Sequence, residues 1–332
     1  MLTLLVAVMS LASCSIAERV SDFLDSLLIE HYKSTDRSLA LDVSVELLPK
    51  ELSGFYYAQL TEPQKRIYDS LIGTLAEGRL SCVLSGYFPD SFQSDVNRAV
   101  DAIYCDHPEI FWIESSWNYQ SSTRSDGEVI GFVTLDICDF WTDQTGAERA
   151  LSELDAELSE IISLAEGYAT DYEKVKFVHD LIVDNTEYDV KEMNTRNAEN
   201  NSAYSCLVEN EAVCGGYARA LQLVLCRLGI PCISIIGRSS GEMHMWNCVY
   251  IDGEPYFVDP TWADDSEMVI YEWFCATSEK MEKTHKPMMS FSIPECTAEE
   301  YGYYRYNGYL LQRYDRQAFD AIIPSSCRLQ KA

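Results

Sequence analysis

The chain has 332 residues, 47% hydrophobic and 12% aromatic, with 53 acidic against 25 basic side chains and a formal charge of −28. That length can bury a sizeable core and more than one domain. The acidic balance argues against nucleic-acid binding by phosphate neutralisation and against polybasic attachment to anionic lipid, and it favours cationic or neutral substrates over polyanions.

In chain order, the first apolar run, Leu2 to Leu11, is too short to span a bilayer and reads as the apolar part of a secretory signal. It ends in Leu11-Ala12-Ser13-Cys14, which resembles a bacterial lipobox whose cysteine is lipidated. Residues 1–17 are therefore expected to be a signal segment, and the protein is expected to be secreted or held at the cell surface through a lipid on Cys14. Thr61-Glu62-Pro63-Gln64 is a capping box ahead of Ile67, Leu71 and Leu75, and Ser91 to Cys105 carries a second helical pattern. Ile110 to Ile113 reads as a short apolar strand, Glu128 to Asp136 as another, and Ala147 to Glu166 as a helix. Residues 18–165 are thus expected to form an α+β accessory domain. Its stretch Asp106-His107-Pro108-Glu109-Ile110-Phe111-Trp112 has no role that sequence reveals.

Residues 166–332 are expected to hold the chemistry. Thr170-Asp171-Tyr172-Glu173 opens a helix in which His179 reads as structural, and the polar stretch Lys191 to Ser202 reads as a surface loop. Glu211-Ala212-Val213-Cys214-Gly215-Gly216 then leads into Tyr217, Leu221, Val224 and Leu228 at helical spacing, stopped by Gly229-Ile230-Pro231. Cys214 therefore sits at a helix N-terminus, where unpaired N–H groups and the macrodipole favour a thiolate. Cys232 to Gly237, Met243 to Ile251 and Glu254 to Asp259 read as strands, the last two joined by an Asp252-Gly253 hairpin turn. Counting back from that turn, His244 opposes Thr261 and has Asp259 as its diagonal neighbour on one face. That geometry suits an Asp that orients an imidazole beside a thiol. The alternative for Asp259 is a cap on the Pro260-Thr261 turn. Ile270 to Phe274 reads as an aromatic strand, and the tyrosine-rich tail Tyr301 to Tyr314 as a half-buried strand serving core packing.

Four pieces in order, Ala203-Tyr204-Ser205-Cys206, Ala212-Val213-Cys214-Gly215-Gly216-Tyr217, His244-Met245-Trp246-Asn247 and Phe257-Val258-Asp259-Pro260-Thr261-Trp262, resemble the transglutaminase-like superfamily, and most of all its exported bacterial members. The resemblance implies an α+β, papain-like core in which Cys214 is the nucleophile, His244 the base and Asp259 the orienter. It also implies an oxyanion hole made by the Cys214 N–H and an upstream side chain, for which Tyr204 is the candidate. Trp246 is expected in the core or cleft wall. The reaction implied is acyl transfer through a thioester: hydrolysis of an amide in protein or cell-wall peptide, alternatively transamidation, or else a non-catalytic binding module on the same fold. The twelve cysteines form no compact framework and no metal-ligand spacing occurs, so no metal or cofactor is expected. A monomer is expected.

Overall fold

A computed structural model describes residues 41–309 except 88, 125–126, 139–140, 142, 192–198 and 266–267, together with 23, 26, 27 and 30. Cys14 and the apolar segment before it lie outside the described residues. Helix α1 (Glu62–Ala76) starts where expected: Gln64 Oε1 accepts the Thr61 N–H at 3.0 Å, and Gln64 Nε2 reaches Asp95 at 2.9 Å. Ile67, Tyr68, Leu71, Ile72 and Leu75 form its buried stripe, each aliphatic side chain contributing about 1.5–3 kcal/mol by burial. Helix α2 (Pro89–Asp106) packs beside it. Strands β1 (Ser81–Tyr87), β2 (Ile113–Thr123) and β3 (Val129–Ile137) form an antiparallel sheet of order β1-β3-β2. Sequence reading missed β1 and placed β2 too early. Ile110, Phe111 and Trp112 are fully buried but lie in a turn, and the strand that follows is mostly polar, Glu114-Ser-Ser-Trp-Asn-Tyr-Gln-Ser-Ser-Thr123. Pairing with β3, not side-chain burial, makes it a strand. Helix α3 (Gln144–Ala165) closes this part, its N–H of Gly146 capped by Asp143.

The stretch from Asp106 to Trp112 is where the two halves of the chain are tied. Asp106 accepts the N–H groups of Tyr56 and Tyr57 at 3.0 and 2.9 Å, and Glu109 accepts that of Leu48 at 2.8 Å while also meeting His107 Nδ1 at 2.7 Å. Burial pushes the Asp106 carboxyl up to about 7, against the pull of the two N–H groups and of His107. Trp112 stacks on Trp141 with centroids 4.0 Å apart. Carbonyls at the end of α2 lack partners within the helix. Two of its last carbonyls, Tyr104 and Cys105, accept from Arg219 and Gln222 at 3.0 and 2.8 Å, and Ile110 O takes the second Arg219 nitrogen at 3.1 Å.

Arg219 and Gln222 belong to α5 (Cys214–Arg227), the helix that carries the expected nucleophile. Before it come α4 (Asp171–Asn185), with its Thr170–Glu173 capping box, and the two-residue parallel strands β4 (Glu187–Tyr188) and β5 (Glu211–Ala212). After it come β6 (Cys232–Ser239), β7 (Glu242–Ile251), β8 (Glu254–Val258) and β9 (His285–Pro287), in the antiparallel order β9-β6-β7-β8. Asn247 Nδ2 and Ser234 Oγ bind Ala218 O at 2.9 and 3.4 Å and lash α5 across the middle of this sheet. One apolar core runs from Leu41 to Cys296 through both halves.

Two aromatic segments differ from expectation. Tyr271–Trp273 is a 3₁₀ turn, and Tyr303–Tyr306 is a helical turn rather than a strand. Their tyrosines cluster instead of alternating: Tyr303 stacks on Tyr271 at 3.7 Å, and Tyr306 lies 3.9 Å from Tyr172 on α4. Ring-to-ring packing outweighs a two-residue period here. Residues beyond Tyr309 lie outside the described part.

Candidate active site

Val213 is extended, with φ −99° and ψ 179°, and Cys214 is the first residue of α5. The loop before it is clamped: Val213 N–H donates to Asn200 O at 2.9 Å, and Asn200 also binds Asp189. This clamp explains the second glycine. A Cβ at Gly216 would lie 2.7 Å from Ala212 Cβ and 3.1 Å from the Asn200 and Ser202 carbonyls, so only glycine lets the loop press against the helix start. The Cys214 side chain is half-buried at this junction.

The hairpin has the expected register, Ile251 opposite Glu254 through Asn247 opposite Val258. Pairing stops there. Pro260–Ala263 is a helical turn, so Thr261 does not oppose His244 as counting along the strand implies. Asp259 serves both readings of it at once. Its Oδ1 accepts the Trp262 N–H at 3.1 Å, capping the turn, and its Oδ2 lies 2.7 Å from His244 Nε2. Asp259 is fully buried and His244 nearly so. Burial alone would lower the imidazole; the Asp259 charge and hydrogen bond, aided by Cys214, outweigh it and raise His244 to about 10. Burial alone would raise the Asp259 carboxyl; His244, then His285, hold it down at about 2. An ionised carboxylate only accepts, so His244 Nε2 carries a proton, and Cys214 lies near enough to the ring to add to the rise.

His285 was assigned no role by sequence. It lies in β9, a three-residue edge strand too short for periodicity to register, and the sheet order alone brings it in. Its Nε2 is 2.9 Å from the same Asp259 Oδ2, and its Nδ1 is 2.8 Å from Thr284 Oγ1. Trp246, Trp262 and Trp273 surround its ring at 5.1, 4.9 and 5.3 Å. Trp246 is fully buried and lies 6.0 Å from the His244 ring, so it is a floor under both imidazoles. Gly237 makes room for that indole: a Cβ there would meet Trp246 at 2.6 Å. Among the described residues, His244, Asp259 and His285 are also a set that could hold a metal ion, with donor atoms within 4.8 Å of one another. In the arrangement seen here both Nε2 atoms lie within hydrogen-bond distance of the same Oδ2.

The structure gives the Tyr204 hydroxyl to Glu153 of α3 at 2.6 Å, and its ring stacks on Phe111. That engagement takes the hydroxyl away from the oxyanion role expected of it. A different tyrosine meets the nucleophile. Tyr188, in β4, pairs with Ala212 two residues before Cys214. Burial and then the Cys214 sulfur push its phenol up to about 12, while a hydrogen bond from the Cys214 backbone N–H acts the other way. Tyr188 therefore lies near the Cys214 backbone N–H. His179 is fully buried, its Nδ1 3.0 Å from Asp180 Oδ1, and it takes no part in this cluster.

Residues 162–260 match the transglutaminase-like superfamily. The chain is 30% identical over 159 residues to human (Homo sapiens) Kyphoscoliosis peptidase, the match covering 44% of this chain and 22% of that protein. It is 30% identical over 119 residues to the mouse (Mus musculus) protein of the same name, covering 32% of this chain and 18% of that one. The chain thus spans less than a quarter of the length of either relative. Among solved structures it is similar to one described as a TGase, at 16% identity and a TM-score of 0.32, covering 56% of this chain and 53% of that one. It is also similar to the periplasmic domain of TgpA from Pseudomonas aeruginosa, at 13% identity and a TM-score of 0.28, covering 44% of this chain and 62% of that one. Among the described residues, no helix is long and apolar enough to cross a membrane.

Proposed function

With residues 162–260 belonging to the transglutaminase-like superfamily, we propose that this protein cleaves amide bonds in protein or peptide substrates through a thioester on Cys214. The observation that carries this reading is the buried His244–Asp259 hydrogen bond of 2.7 Å, with Cys214 near enough to act on the same ring. His244, raised to about 10, is the imidazolium and acts as the acid beside the sulfur, which attacks as the thiolate. The thiolate attacks the amide carbonyl carbon, and the Cys214 N–H and the Tyr188 hydroxyl take the oxyanion. The carbon–nitrogen bond breaks as His244 Nδ1 gives its proton to the leaving amine, and the acyl group stays on sulfur. Water then attacks the thioester, Nδ1 takes its proton, and the carboxylic acid leaves with the thiolate and imidazolium restored. Asp259 holds the proton on Nε2 throughout.

Hydrolysis is favoured over transfer to an amine because Cys214 is only half-buried, within reach of water, and because the human relative is named a peptidase. Incubation of casein with a fluorescent primary amine separates the outcomes. Shorter casein fragments without bound fluorophore, absent with Cys214→Ala, are expected. Fluorophore joined to intact casein would replace hydrolysis by transamidation. Neither product, with wild type and Cys214→Ala indistinguishable, would make the domain a binding module.

A further inference from the structure

We propose that His285 is a positioning residue of the thiol centre, locking the Asp259 carboxylate so that His244 presents Nδ1 to Cys214; this rests on the catalytic reading above. A carboxylate turns easily about its Cβ–Cγ bond, whose torsion is broad and two-fold. Asp259 cannot turn, because three donors grip it: Trp262 N–H on Oδ1 at 3.1 Å, His244 on Oδ2 at 2.7 Å and His285 on Oδ2 at 2.9 Å. The first of these donors belongs to Asp259's own helical turn and fixes one oxygen. His285 comes from a different strand, on the far side of β6 from β7, and fixes the other. Its own orientation is set by Thr284 Oγ1 at 2.8 Å and by the three tryptophan rings.

The chemistry assigns the protons. Asp259 is ionised, so Nε2–H of His285 must donate to it, and His285 Nδ1 faces the Thr284 hydroxyl. Without that donor, Oδ2 keeps only His244 and can swing with it. The imidazole then loses the fixed direction that aims Nδ1 at sulfur. A partner one step behind a working group changes rate by about 10- to 100-fold when removed. The effect falls on turnover and on thiol reactivity rather than on substrate affinity, since His285 is fully buried and has almost no surface to offer a substrate.

Two variants test this. His285→Phe fills the tryptophan box without a donor, and His285→Gln keeps an N–H at the reach of Nε2. With p-nitrophenyl acetate as probe, His285→Phe is expected to lower kcat by about 10- to 100-fold with KM little changed, and to slow iodoacetamide alkylation of Cys214 alike; His285→Gln recovers most of both. Proton NMR of the wild type gives a readout that needs no activity: two imidazole N–H resonances far downfield, of which His285→Phe removes one and leaves the His244 signal. A folded His285→Phe that alkylates at the wild-type rate overturns the inference, as does a wild type with a single downfield resonance. Loss of the catalytic reading would appear separately, as esterase activity that survives Cys214→Ser.

Discussion

Asp259→Asn removes one charge and one lone-pair site with almost no change in shape. In the wild type the interval between the ordinary 6.5 and about 10 for His244 is worth about 5 kcal/mol in favour of the imidazolium, at 1.36 kcal/mol per pKa unit. Residual water access reduces that to about 3 kcal/mol. The amide cannot restore it. If its oxygen stays on the Trp262 N–H, its NH₂ faces two imidazole Nε2–H groups; if it flips, the NH₂ faces the Trp262 N–H. Either way at least one buried donor is stranded, at a cost of about 1–3 kcal/mol each. The least unfavourable escape is for His244 to move its proton to Nδ1, which points a donor at Cys214 and abolishes the base. Such a tautomer error lowers kcat by about 10⁴-fold in a hydrolytic triad. The assay is the rate of iodoacetamide alkylation of Cys214 from pH 5 to pH 9.5. The wild type is expected to react readily at pH 6, where the His244 imidazolium stands beside the sulfur. Asp259→Asn is expected to be slower there by at least about 100-fold, from the roughly 3 kcal/mol lost. It should approach the wild type only near pH 9, where an ordinary thiol ionises. A variant within about threefold of wild type at pH 6 would refute the reasoning.

The same pair sets a stability window. His244, raised to about 10, contributes stability that is complete below its ordinary 6.5 and lost as pH rises through about 10. Asp259, held at about 2, contributes stability present above its ordinary 3.8 and lost as pH falls through about 2. The Tm difference between wild type and Asp259→Asn is therefore expected to be largest between pH 4 and 6.5 and to shrink on both sides, measured by thermal unfolding. Tyr188→Phe is expected to lower kcat by about 10²-fold or more if its hydroxyl holds the oxyanion, whereas Tyr204→Phe leaves kcat near wild type because that hydroxyl is on Glu153; equal effects would sink the distinction. Gly216→Ala forces a Cβ to within 2.7 Å of Ala212 and should cost about 1–3 kcal/mol in chemical denaturation.

What sequence conveyed was local. The glycine and proline after Leu228 end α5 where expected, both capping boxes form, and the Asp252-Gly253 turn sets the hairpin register. Those features act over a few residues, so they can be read one segment at a time. What it did not convey depends on packing across the chain. Strand β2 is polar and exists through its partner β3, and the tyrosines near 303 cluster on α4 and Tyr271 rather than forming a strand. Tyr204 carries the family's pattern, yet α3 claims its hydroxyl. His285 arrives through sheet order, and the role of Asp106 to Trp112 becomes visible only when Arg219 of α5 reaches across to its carbonyls.

The most direct measurement is an acid quench during turnover of p-nitrophenyl acetate, followed by peptide mass mapping. An acetyl group on the sulfur of Cys214, missing when His244 is replaced by Ala, is the predicted result. An acetyl group on some other residue, or an adduct at Cys214 that accumulates equally without His244, would contradict it.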